Sequence, residues 1–142
     1  MGEDGHVESE PMTSVPAPAV SSRTIVLAAV VDAVLVVAFA VIGRASHAEA
    51  LTLGGIAETA WPFLAGLAIG WLVTLARRAP LAPARTGLGV WALTVAGGML
   101  LRAASGQGVV LAFVIVASIV LLIFLVGWRA IAALVRRAGR RR

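Results

Sequence analysis

Residues Gly108 to Trp128 read GVVLAFVIVASIVLLIFLVGW, part of a run with no charge between Arg102 and Arg129. A hydrocarbon core about 30 Å thick needs about 20 mostly apolar residues in a helix, so this stretch is long enough to cross it. Its residues do not alternate in polarity as the strands of a membrane barrel must. In hydrocarbon every backbone N–H and C=O has to be satisfied inside the protein, so a helix is expected. Working outward, three more runs of this kind appear. Thr24 to Gly43 lies between Arg23 and Arg44 and is interrupted only by Asp32. About Thr59 to Ala76 ends at Arg77 and Arg78, with Pro62 expected in its first turn, where a missing N–H costs little. Thr86 to Leu101, between Arg85 and Arg102, is short for a span. The fold class expected is all-α, an integral membrane four-helix bundle over residues 23–129.

Composition agrees. Of 142 residues 60% are hydrophobic and 13% charged, and mean hydropathy is +0.97. A soluble globule runs nearer half apolar and a quarter charged. A chain this small cannot cover four such helices with polar surface. Absence of cysteine excludes disulfides, thiolate metal sites and thiol nucleophiles. Residues 1–22 carry Glu3, Asp4, Glu8 and Glu10 and then Pro11, Pro16 and Pro18. They read as a disordered cytoplasmic tail, too polar to offset chain entropy by burial. The acidic start and long first apolar run do not fit a cleaved secretory signal. Residues 130–142 form a basic cytoplasmic tail, which fixes topology or lies as an amphipathic extension on an anionic leaflet.

The net charge of +5 rests on arginine alone, six of the twelve lying between Arg129 and Arg142. No basic stripe interleaves with exposed aromatics, so a nucleic-acid partner is not expected. Four spans put both tails and the middle loop on one side with ten arginines, against Arg44 and Arg102 on the other. That asymmetry predicts a multi-pass protein of the bacterial cell membrane with both termini cytoplasmic. Trp61, Trp71, Trp91 and Trp128 fall near span ends and partly match an interfacial belt.

The two halves share an order of short strings. Arg44-Ala45-Ser46, Gly70-Trp71 and Leu75-Ala76-Arg77-Arg78-Ala79 are followed by Arg102-Ala103-Ala104-Ser105, Gly127-Trp128 and Leu134-Val135-Arg136-Arg137-Ala138. Two readings stand. Either two helical hairpins are repeated in parallel about an axis along the membrane normal, or a biased composition repeats itself by chance.

Asp32 sits about 12 Å inside the first span, where an ionised carboxylate costs at least about 2.5 kcal/mol, so it should face the bundle interior. It is either a proton carrier or cation ligand, or a packing device bonded to a carbonyl, Thr74 or Thr94. Asp32, Gly43 and His47 share a helix face, and Arg44, Glu49, Glu58 and Arg102 gather at the outer end. The candidate binding cluster is therefore Asp32, Arg44, His47, Glu58 and Arg102. One reading has both guanidinium groups holding an anionic solute or lipid head group; the other has Arg44 or Arg102 paired with Glu58 to close the bundle. A single histidine outside the tail does not suggest a metal site. Gly66 and Gly70 on the second span, with Gly97 and Gly98 on the third, are expected to let helices approach closely, within the chain or at a dimer seam. No nucleophile and base pair, Walker loop, HExxH or dinucleotide fingerprint is present, so neither an enzyme nor a cofactor is expected.

Asp32, Gly43-Arg44-x-x-His47, Thr59 with Pro62-Phe63 and Gly66, Gly89 with Trp91, Thr94, Gly98-Met99 and Arg102 carry a further signal. Together with Gly108, Phe113, Val116-Ala117 and Gly127-Trp128-Arg129, this order resembles the bacterial and archaeal membrane family called domain of unknown function 3054. The resemblance covers about Thr24 to Arg129 and implies a small multi-span membrane protein without supplying an activity. Two functions are carried forward. The first is transport or binding of a small solute or ion through the polar cluster. The second is an accessory subunit in which Gly-rich faces dock a membrane partner or a second copy.

Overall fold

The computed structural model describes residues 20–47 and 49–141. Four helices follow in order: α1 (Ser22–Ser46), α2 (Leu53–Val73), α3 (Leu88–Ala104) and α4 (Leu111–Gly139). No strand occurs among the described residues. A 3-10 turn at Ala76–Arg78 and a π-helical turn at Pro83–Gly87 join α2 to α3. Each span, with the π turn counted into α3, is long and apolar enough to cross a membrane. The chain is an integral membrane four-helix bundle. The start of α1, the α2–α3 loop and the end of α4 lie at one end, here the terminal end. The α1–α2 and α3–α4 turns lie at the other, the hairpin end.

Local chemistry sets the boundaries. Ser21 caps α1, its hydroxyl accepting from the Thr24 N–H at 3.2 Å, so the polar stretch through Ser22 ends on a helix start. The rest of that stretch, residues 1–19, lies outside the described residues. Thr52 caps α2 by accepting from the Gly55 N–H at 3.1 Å. The helix therefore begins at Leu53 instead of Thr59, and Pro62 falls in its interior rather than its first turn. Proline has no N–H for the Glu58 carbonyl, a loss that the buried ring and its packing must offset. Gly106 and Gly108, at φ of +74° and +76°, take left-handed positions in the α3–α4 turn. The fourth helix does not stop at Trp128 but continues to Gly139.

The core is one layer of side chains between the helices: Val36 and Phe39, Phe63 and Leu67, Val90, and Ala117, Leu121 and Leu125. Outside it, all four helices show large apolar residues, among them Val34, Leu72, Leu100 and Ile123, with Leu72 74% exposed. Such a continuous apolar exterior has no counterpart on a soluble monomer and is what lipid solvates. The closest helix pair is α2 with α3, where the four glycines meet. A Cβ on Gly66 would lie 2.8 Å from the Thr94 carbonyl, one on Gly97 3.1 Å from the Gly66 Cα, and one on Gly70 3.2 Å from the Val90 carbonyl. A Cβ on Gly98 would strike the Phe63 ring. These glycines are spent on contact within the chain.

Candidate functional site

The polar residues divide into two groups at opposite ends of the bundle. Arg23 and Arg44 are 21 residues apart on α1, about 31 Å and close to the thickness of a hydrocarbon core. Asp32 lies nine residues below Arg23, about 13 Å inside that slab. It is fully buried, and so is Arg129, which meets it with the guanidinium Nη2 2.6 Å from Oδ2 and Nη1 2.8 Å from Oδ1. The Trp71 indole donates to Oδ2 and that of Trp128 to Oδ1, both at 2.8 Å. An ionised carboxylate offers about four acceptor sites, and all four are filled.

The arginine is as fully engaged. Its Nε donates to the Pro80 carbonyl at 2.9 Å and its Nη1 also to the Leu125 carbonyl at 2.7 Å, while its Cζ lies 4.7 Å from the Trp128 ring. This clamp ties α1, α2, α4 and the α2–α3 loop together. Each carboxylate oxygen is thus bonded twice within the bundle.

At the hairpin end, Arg44, His47, Glu58 and Arg102 do come together, lining a cleft of about 640 Å³. Asp32 does not join them, although it shares a face of α1 with His47. Helical rise separates it from Arg44 by about 18 Å. Neither arginine pairs with Glu58 among the described residues. Arg44 pairs with Glu49 at 2.8 Å, donates twice to the Ala50 carbonyl and once to Thr59. Its guanidinium lies over Gly55, where a Cβ would come within 2.6 Å of Cζ. Arg44 is thus a staple that holds the α1–α2 turn.

Arg102 is different. Among the described residues its guanidinium bonds only to Gln107, Nη1 to the side-chain Oε1 at 2.8 Å and Nη2 to the carbonyl at 3.4 Å. Its Nε is buried with no partner among the described residues. No carboxylate lies within 4 Å of it among the described residues. The guanidinium stacks 4.5 Å over the Phe113 ring. Phe113 belongs to a trio with Phe39 and Phe63, whose ring centroids are 5.1 to 6.3 Å apart. The missing side chain of Gly98 admits Phe63, so the tight α2–α3 contact also sets the ring on which Arg102 rests. Below that ring the cleft is apolar, lined by Phe39, Val116 and Val120. It is a half-polar groove, charged at the hairpin end and apolar toward mid-span, where it opens on the outer face of the bundle at Val116, 56% exposed. No group of three His, Cys, Asp or Glu able to hold a metal ion occurs among the described residues.

Sequence reasoning missed Arg129, Trp71 and Trp128. Arg129 reads as the flank of a span, and the two tryptophans as interfacial anchors. The signal was available in Asp32 itself, because an acid at that depth requires a cationic partner and donors for its remaining lone pairs.

Residues 29–132 match the family described as protein of unknown function (DUF3054), and the chain belongs to that family. The matched span contains every residue of the clamp and of the cleft. No curated protein and no solved structure matches the chain.

Proposed function

We propose that this family member is a solute-binding protein of the bacterial cell membrane, with both termini cytoplasmic, whose ligand enters the hairpin-end cleft from the outer face. The observation that carries the reading is Arg102: a guanidinium on the wall of a cleft, among the described residues without a carboxylate partner and with one N–H unsatisfied. Ligand sites are concave, mostly apolar and furnished with a few directed polar groups, at about 300–1,000 Å³, and this cleft has that character. The orientation follows from arginine. With Asp32 neutralising Arg129 inside the bundle, nine arginines remain at the terminal end against two at the hairpin end.

Asp32 is assigned to architecture, so proton-coupled transport through it is not part of this reading. Docking of a partner through Gly66, Gly70, Gly97 and Gly98 lacks a free face, since α2 and α3 use those positions against each other. Native mass spectrometry of the protein extracted from its own membrane tests the proposal. Wild type should carry a small-molecule adduct that Val120→Trp, a bulky substitution on the half-buried wall of the cleft, loses. Identical spectra for the two would overturn it.

A further inference from the structure

The cleft has a chemical gradient along its length, and the gradient describes its occupant. At the mouth stand Arg102 and Gln107, with Glu49 and Glu58 beside them. One helical stretch deeper, from Phe113 to Val120, the wall is Phe, Val and Val over about 10 Å of helix rise. A small hydrophilic ion would satisfy the mouth and leave the depth empty. A wholly apolar molecule would fill the depth and leave the Arg102 N–H groups as they are. Resting on the solute-binding reading, we infer that the ligand is an amphiphilic monoanion, a single carboxylate or phosphodiester head on an apolar tail.

The head takes the Arg102 Nη groups in place of the Gln107 side chain, whose single neutral bond to Nη1 is a weaker partner than an anionic oxygen. Phe113 holds the guanidinium in place by stacking, so little side-chain freedom is lost when the head arrives. The tail then lies along Val116 and Val120. Glu58 adds negative charge at the entrance and selects against a second charge on the head. Arg44 takes no part, because its donors are committed to Glu49, Ala50 and Thr59.

The test uses the full chain in phosphatidylcholine nanodiscs and a decanoate probe with a photoreactive group at the tail end. Photolabel is expected on α4 between Phe113 and Val120. Decanoate should compete about tenfold better than decanol or decylamine, the factor one charge-assisted contact provides. Arg102→Gln should weaken labelling by about the same factor, and Glu58→Gln should strengthen it. The competition series needs no variant, so misfolding of Arg102→Gln would not obscure it. Equal competition by decanol, or unchanged labelling in a folded Arg102→Gln protein, overturns the monoanion while leaving binding in the cleft intact. Failure of the probe and of all three competitors to reach the cleft overturns both. Phosphatidylglycerol discs identify the source of the head: displacement of the probe means an anion drawn from the bilayer, and no displacement means one from solution. In either case the preference for decanoate over decanol carries the anionic class.

Discussion

Asp32 and Arg129 are 97 residues apart in sequence and form a two-point ion pair with neither side chain exposed. Burying such a pair is costly, and its net gain over a well-packed apolar pair is small, whereas leaving one partner alone is costlier still. Asp32→Asn or Arg129→Gln should therefore destabilise the bundle by about 3–5 kcal/mol. The double variant Asp32→Leu with Arg129→Met should recover most of that loss. Denaturant unfolding in detergent reads all three. A double variant no better than either single one would show that the pair does more than close the bundle.

The indoles of Trp71 and Trp128 each fill one carboxylate acceptor site. Trp71→Phe and Trp128→Phe keep most of the ring and remove the N–H. Each should cost about 1.5–3 kcal/mol, the range for a hydrogen bond to a charged group. Trp61→Phe, at an exposed ring, should cost far less. Similar losses for all three would assign the tryptophans to the interface instead of the clamp.

The α2–α3 contact predicts a graded glycine series. Gly66→Leu and Gly98→Leu should each destabilise by at least about 1–3 kcal/mol through overpacking, because Thr94 backbone and the Phe63 ring stand in the way. Gly127→Ala meets nothing within 4 Å and should be neutral or stabilising by up to about 1 kcal/mol, since alanine favours the helix. Thermal unfolding distinguishes them.

Much of this fold was legible from chain chemistry. Uncharged length identifies the spans, and the four small residues on α2 and α3 identify a close contact. Where it misled, the cause was local reading of a long-range arrangement. Thr52 shifts the start of α2 through a single hydroxyl, which a hydropathy window does not register. Arg129 looks like a boundary because it ends an apolar run, yet its partner lies on another helix. Arg44, His47, Glu58 and Arg102 line one cleft because each stands near a span end on the same side, whereas Asp32, grouped with them by its helix face, lies too far along α1. What the sequence left open was which arginine is committed. That depends on a Gly55 without a side chain and on a carbonyl at Ala50, visible only once the α1–α2 turn is folded.

Orientation gives a further prediction, cleanly testable because the chain has no native cysteine. In intact cells, Ser105→Cys and Ala50→Cys at the hairpin end should react with an impermeant maleimide, and Ala84→Cys in the α2–α3 loop should not. The reverse pattern would turn the cleft toward the cytoplasm.

The polar residues form a sealed clamp at Asp32 and an open cleft at Arg102. Substituted-cysteine reactivity along α4 tests this division most directly. With a small uncharged maleimide, Val120→Cys, on the wall of the cleft, should react and be protected by decanoate. Leu125→Cys, fully buried beside the clamp, should stay unreactive while the protein is folded. Reaction at Leu125→Cys as fast as at Val120→Cys, or no reaction at Val120→Cys, would contradict the account.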